Sequence, residues 1–363
     1  MMTFTDIRDH VTQGIRISPE EAVWLFREAP FQDLCTLADQ VKRKLHGDAV
    51  YWVNNRQINY TNVCVLHCSF CAFSKIKKDS PTAYDWNIDL IIQKAEEAVT
   101  RGARELHVVG GLHPDHEFEY YVEMVRRLHK AFPQVGIKAF TAVEVMHFAK
   151  LGGLSVEQVL KTLKEVGLEA LPGGGAEILV QSVRDEICGP KETGEEWLSV
   201  HRASHRLGIP TNATMLFGHI ETYEHRVAHM QMLRDLEDIA PGFFAFIPLV
   251  FHPDNNSLGR RVGAKTSEED RLRTIAVARI FLDNILHIKA YWVQLGLDVA
   301  RRALHAGASD LDGTIIEEKI TYAAGSDAGQ GLTVASMCAL IQDEGLRPIE
   351  RDALYREYEP IEP

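Results

Sequence analysis

Between residues 56 and 315 the chain alternates between short apolar stretches and longer amphipathic ones. The pattern predicts strands at 56–63, 105–111, 137–143, 168–172, 210–217, 243–251, 285–294 and 311–315. Helices are predicted at about 87–101, 117–132, 155–166, 194–207, 221–239, 267–282, 297–305 and 330–345. A helix between successive strands is a crossover, and crossovers join parallel strands. Repeated β-then-α units of this kind predict an α/β chain, a (β/α)8 TIM-type barrel. The last unit has the weakest pattern, so closure is expected to be imperfect at one seam. Residues 1–50 read as helices, with Ser18-Pro19-Glu20-Glu21 as a helix start. The expected organisation is an N-terminal helical cap over 1–50, packed on a barrel domain over 51–363 that includes C-terminal helices.

Barrels of this kind carry their chemistry at the C-terminal ends of the strands. The unusual residues fall there. Three cysteines follow the first strand and Gly110-Gly111-Leu112-His113 the second. Glu144 follows the third strand and Pro172-Gly173-Gly174-Gly175-Ala176-Glu177 the fourth. Gly218-His219-Ile220-Glu221, His252-Pro253-Asp254-Asn255 and Gln294 come after or at the end of the next three, and Asp310 to Thr314 surround the last.

The cysteines are Cys64, Cys68 and Cys71, spaced C-x3-C-x2-C with Phe70 before the third. A soft thiolate set favours an iron–sulfur cluster, zinc or copper(I). No fourth cysteine lies nearby, so a four-iron cluster here would keep one iron open. His67 could complete a zinc set, although its place inside the Cys64–Cys68 loop makes joint ligation awkward. Cys35, Cys188 and Cys338 are scattered singly, which suits small buried residues in a reducing compartment.

With 39 Lys and Arg against 51 Asp and Glu, the formal charge of −12 argues against a nucleic-acid partner. Met1 to Arg16 has no signal-type apolar core, and no stretch approaches the roughly 20 apolar residues of a membrane helix. The expectation is a cytoplasmic protein without a membrane partner. Gly173-Gly174-Gly175 lacks the Lys-Ser/Thr that follows a phosphate loop. His201 and His205 stand four apart, but Arg202 occupies the position where a zinc-protease helix needs Glu. His219 and His252, at strand ends, are candidates for acid, base or anion partner.

The cysteine spacing with Phe70 resembles the cluster loop of the radical S-adenosylmethionine enzymes. The resemblance widens along the chain. LPGGGAEI (171–178), NATMLFGHIETYEHRVAHM (212–230), FIPLVFHPDN (246–255) and DLDGTIIEEKI (310–320) are similar to the aminodeoxyfutalosine synthases of menaquinone biosynthesis. The sibling dehypoxanthine futalosine cyclases share the PGxGAEI and GHxET patterns. They usually carry a Trp and Gln version of the third segment, where this chain has Leu249 and His252.

The resemblance implies a [4Fe-4S] cluster on Cys64, Cys68 and Cys71 with an open iron, and S-adenosylmethionine as co-substrate. Gly110 and Gly111 would approach its methionyl amino group; Leu112 stands where the superfamily commonly has Glu, so only the backbone role carries over. Glu177 and Arg184 would meet its amino and carboxylate groups, Glu144 its ribose, and Phe70 its adenine or the cluster. The implied reaction adds the 5′-deoxyadenosyl group to 3-[(1-carboxyvinyl)oxy]benzoate, with aryl migration and decarboxylation, giving 6-amino-6-deoxyfutalosine. Substrate carboxylates would meet Asn212, His219, His252 or Arg260, with Lys191 as a further candidate. His219 and Glu177 are the candidates for chemistry, and the electron would come from an external one-electron reductant of flavodoxin or ferredoxin type.

Overall fold

Three helices, α1 (Phe4–Thr12), α2 (Pro19–Arg27) and α3 (Phe31–His46), lead the chain in a computed structural model that describes residues 2–329 and 331–358. α2 begins as the sequence predicts. Ser18 Oγ accepts from the Glu21 N–H, and the Glu21 carboxylate accepts from the Ser18 N–H.

Two strands follow, β1 (Ala49–Val53) and β2 (Asn55–Ile58), parted only by Asn54. After them come α4 (Ile88–Thr100), β3 (Glu105–Val108), α5 (Phe118–Ala131), β4 (Gly136–Ala139), α6 (Ala142–Gly152) and α7 (Val156–Glu165). The middle of the chain holds α8 (Gln181–Cys188), α9 (Gly194–Arg206), β5 (Thr211–Phe217), α10 (Tyr223–Ile239), β6 (Phe243–Val250), α11 (Ser257–Val262) and α12 (Glu268–Phe281). The last third holds β7 (His287–Ile288), α13 (Trp292–Leu295), α14 (Leu297–Ala303), β8 (Asp310–Gly313), α15 (Ile320–Ala323), α16 (Val334–Asp343), β9 (Arg347–Arg351) and β10 (Glu357–Tyr358).

Parallel ladders run β2-β3-β4 and β5-β6-β7, and a third sheet is ordered β10-β9-β1-β8 with only its β9–β10 pair antiparallel. Single parallel bridges join the sheets: Lys138 to Ala170, Leu171 to Thr211, Lys289 to Asp310 and Arg56 to Ile316. The architecture is mixed α/β and consistent with a TIM-type barrel, with bridges in place of full ladders at the junctions. The strand expected over 168–172 is reduced to the bridges at 170 and 171, because Gly173 at φ +83° turns the chain away at once. The strand expected over 285–294 keeps two residues, since the Trp292 indole donates to the Gly313 carbonyl at 2.8 Å and a helical turn starts there.

Two further differences matter for the site. The strand predicted to reach 143 ends at Ala139, and Thr141 caps α6 with Glu144 at its third position. The C-terminus, expected to be helical, adds β9 and β10 after α16; residue 330, where the last helix is predicted to begin, lies outside the described residues. The Arg351 guanidinium donates to Asp310 at 2.8 Å, and the Tyr355 hydroxyl does the same at 2.8 Å.

The cap helices pack on α10 and α12, where Arg273 donates to the carbonyls of Leu25 (3.1 Å) and Ala29 (2.9 Å). The strands carry buried charges, which are tolerated only as pairs: Lys138 with Glu105 at 2.7 Å and Lys289 with Asp312 at 3.1 Å. Among the described residues no helix is long and apolar enough to cross a membrane.

Candidate active site

A cavity of about 330 Å³ opens among the C-terminal ends of the strands, and all three loop cysteines line it. The loop that carries them is tied down on several sides. The Cys64 N–H donates to the Lys75 carbonyl (3.0 Å), and the Val65 N–H to that of Leu112 (3.0 Å). Ser69 donates from N–H and Oγ to the Ile187 carbonyl at the end of α8, at 3.0 and 2.9 Å. Two sulfurs already accept backbone donors: Leu66 N–H reaches Cys64 Sγ and Ser74 N–H reaches Cys71 Sγ, both at 3.4 Å. Such N–H···S contacts stabilise thiolate charge, so the donor set suits a soft metal cluster. Burial pushes the Cys64 thiol up and the Cys68 thiol to about 12, so ligation itself must drive off the protons. Cys35, Cys188 and Cys338 are free, and none lines the cavity.

Gly110 and Gly111 also line the cavity, for a reason of packing. A Cβ on Gly110 would stand 2.6 Å from the Tyr60 ring, and one on Gly111 2.2 Å from the Val63 carbonyl oxygen. Glu144 lines the cavity too, yet its capacity as an acceptor is filled. Oε1 accepts from the Tyr60 hydroxyl (2.8 Å) and the Gly110 N–H (3.0 Å), Oε2 from the Thr141 N–H (2.7 Å) and hydroxyl (2.8 Å). Four donors match the lone pairs of one carboxylate, so Glu144 braces the glycine pair.

Glu177, at φ +48°, turns into the cavity from the loop before α8 and is paired with Lys191 at 2.5 Å. Burial pulls the Lys191 pKa down, but Glu177 and Cys68 outweigh it and the ammonium stays charged. The same ammonium lies 5.6 Å from the centre of the Phe70 ring, another lining residue. Lys191 is the only Lys or Arg among the described residues that line the cavity. Arg184 is elsewhere. It is 1% exposed and donates to the carbonyls of Glu192 (2.6 Å) and Ala176, so it shapes the loop under Glu177 rather than facing a ligand.

His219 does not reach the cavity. Its side chain is wholly buried; Nε2 donates to the Leu216 carbonyl (3.0 Å) and Nδ1 accepts from the Ile220 N–H (2.8 Å). Glu221 accepts from the N–H groups of Gly218 (2.6 Å) and His219 (2.8 Å) and pairs with Arg226, so this turn is closed on itself. His219→Ala should therefore cost about 1–3 kcal/mol of stability by orphaning two backbone groups. Turnover per folded molecule should stay near that of the parent; a collapse of turnover at unchanged melting temperature would return His219 to the chemistry.

His252 does line the cavity. Its Nε2 donates to the Gln294 carbonyl at 3.1 Å, and burial keeps the ring neutral. Asn212 is buried on β5 but is absent from the lining, which takes Thr214 and Leu216 from that strand. Arg260 is exposed beside a separate surface hollow. Sequence reasoning gave no site role to Gln57, His107 or Tyr291, which line the cavity, and mentioned Gln294 only as a strand end. The signal available for one of them was local: His107 stands between Leu106 and Val108 on β3, whereas β2 reads Asn55-Arg56-Gln57-Ile58 and its polar run singles out no residue. The Gln294 Oε1 and His107 Nδ1 are buried without a hydrogen-bond partner, as expected of groups that wait for a ligand. Outside the cavity lining, Asp85 accepts from His116 Nε2 at 2.9 Å and stands 3.6 Å from His113 Nε2. The Asp115 N–H donates to His113 Nδ1 (3.2 Å), which fixes the His113 proton on Nε2 and withholds that nitrogen from a metal.

Comparison with known proteins agrees with this geometry. Residues 58–233 match the radical SAM superfamily and residues 240–362 the CofH/MqnC C-terminal region. The chain is 46% identical to the aminodeoxyfutalosine synthase of Thermus thermophilus, over 97% of this chain and 95% of that one. It is 39% identical to the cyclic dehypoxanthine futalosine synthase of Streptomyces coelicolor, over 96% of this chain and 87% of that one. In fold it is similar to methylornithine synthase, with a TM-score of 0.75 at 16% identity over 94% of this chain and 97% of that one. Three cysteines on one loop at the mouth of a strand-end cavity, in a chain that matches these models along its length, mean that the protein belongs to the radical SAM superfamily, in the branch of the aminodeoxyfutalosine synthases that carries a CofH/MqnC C-terminal region.

Proposed function

We propose that this radical SAM enzyme is an aminodeoxyfutalosine synthase, joining the 5′-deoxyadenosyl group of S-adenosylmethionine to 3-[(1-carboxyvinyl)oxy]benzoate. The products are 6-amino-6-deoxyfutalosine, methionine and carbon dioxide or bicarbonate. The superfamily implies a [4Fe-4S] cluster and S-adenosylmethionine, and the ligands proposed here are Cys64, Cys68 and Cys71. When bound, the cluster would supply the electron that splits S-adenosylmethionine to methionine and a 5′-deoxyadenosyl radical.

The chain's own residues do the rest. Lys191, with two N–H donors left after Glu177, holds the methionyl carboxylate, and Glu177 takes the amino group. Leu216, Ile247, Leu249 and Phe251 wall the cavity with apolar surface, excluding water from a reactive carbon radical. The polar floor of Gln57, His107, His252 and Gln294 meets the substrate. The parallel bridges support reading the fold as an imperfectly closed (β/α)8 barrel over 51–363, capped by 1–50. A small acidic electron carrier of flavodoxin or ferredoxin type is the expected reductant, and the cytoplasm the expected site.

The observation that carries the choice among siblings is positional. Leu249 and His252, the residues that depart from the usual cyclase pattern, both line the cavity. The test is anaerobic turnover with S-adenosylmethionine, dithionite and each sibling's substrate, followed by mass spectrometry. Adenosylated, decarboxylated product from the vinyl ether is the expected result. Free 5′-deoxyadenosine with cyclised dehypoxanthine futalosine, and no adduct from the vinyl ether, would overturn the assignment.

A further inference from the structure

The cysteine loop has an outer edge that the cavity does not use. Val65 is 51% exposed and Ile76 56% exposed, although the backbone between them is bonded into the fold. The stretch from Cys64 to Lys78 contains Lys75, Lys77 and Lys78 and no Asp or Glu. The stretch from Asn255 to Lys265 contains Arg260, Arg261 and Lys265, again without an acid. These two basic stretches are neighbours. Ser257 Oγ and the Leu258 N–H, at the start of α11, both donate to the Ser69 carbonyl at 2.9 Å. Lys78, Arg261 and Lys265 have acidic partners in Asp115, Glu186 and Asp254. Lys75, Lys77 and Arg260 have no ion-pair partner among the described residues, and Lys77 and Arg260 are exposed.

A chain of net charge −12 needs no local cations for solubility. Unpaired cations and exposed apolar side chains on the cysteine loop and the adjoining α11 therefore call for a partner. We propose that this edge is the landing surface of a small acidic one-electron carrier protein. The proposal rests on the radical reading above, since only a redox group on that loop gives a carrier reason to dock there. In each encounter one electron leaves the reduced carrier and enters the group held by Cys64, Cys68 and Cys71; no atom or proton is exchanged. Two net-acidic proteins repel at long range, and a local basic edge restores attraction where transfer has to occur. Val65 and Ile76 supply a small desolvated contact, of the limited size typical of transient electron-transfer pairs.

The test is binding, which needs no turnover. The protein is titrated calorimetrically with an oxidised flavodoxin of strongly negative charge, and separately with an acidic ferredoxin, at about 20 mM and about 150 mM salt. At least one carrier should bind, with affinity falling as salt rises. Lys77→Glu should weaken that complex about tenfold at low salt, while dithionite-driven cleavage of S-adenosylmethionine stays at the parent rate. Absence of a complex with both carriers, or an affinity indifferent to charge reversal, overturns the docking surface. Failure of the parent protein to cleave S-adenosylmethionine with dithionite overturns the radical reading instead.

Discussion

Alanine at Cys64, Cys68 or Cys71 should abolish cleavage of S-adenosylmethionine, and alanine at Cys35, Cys188 or Cys338 should leave it nearly intact. The first three are the only cysteines among the described residues that line the cavity. Each would supply one thiolate, and a cluster short of one of its three thiolates would leave a second iron without a protein ligand and fail to assemble or be lost. The anaerobically reconstituted parent should hold roughly four irons per chain, and each of these three variants far fewer. Cys188 is the demanding control. It ends α8 directly after Ile187, whose carbonyl receives both Ser69 donors, so it adjoins the cysteine loop without facing the cavity. Loss of iron in Cys188→Ala, with the fold intact by circular dichroism, would mean that the ligand set is wrong.

The cysteine loop was legible because its signal is local: spacing along the chain fixes which sulfurs can converge. The alternation of strands and helices was legible for the same reason, and most predicted helices lie within two residues of the observed ones, as at 117–132 against Phe118–Ala131. What escaped the sequence was long-range. β1 pairs with β9 across almost the whole chain, and nothing in Arg347–Arg351 announces that partner. Arg184 and His219 stand where a site residue would stand in sequence. Whether a side chain faces the cavity or its own turn depends on backbone acceptors such as Ala176 and Leu216, and composition does not encode these. The engagement of Glu144 with its own fold escaped the sequence for a related reason. The same Thr-x-x-Glu pattern that starts α6 uses up two of its acceptor sites, and Tyr60 and Gly110 take the rest.

Lys191 shows the reverse: a residue that sequence left as an afterthought becomes the strongest single test of the site. Lys191→Met keeps the length of the side chain and removes its charge. Glu177, 10% exposed at its side chain, would then be a buried carboxylate without a cation. Breaking such a pair by removing one partner costs about 3–5 kcal/mol, so denaturant unfolding should show a clear loss of stability. Binding of S-adenosylmethionine should weaken by about 1.5–3 kcal/mol, the worth of a charge-assisted contact, which is roughly 10- to 150-fold in Kd. The double variant Lys191→Met with Glu177→Gln separates the two effects. It leaves no unpaired charge, so most of the stability should return, yet the affinity should not, because the cavity still lacks its cation. Recovery of both would make Lys191 a structural partner of Glu177 alone. Recovery of stability with an affinity still below that of Glu177→Gln alone, measured on protein with a full iron complement, is the result expected of a lysine that holds the methionyl carboxylate.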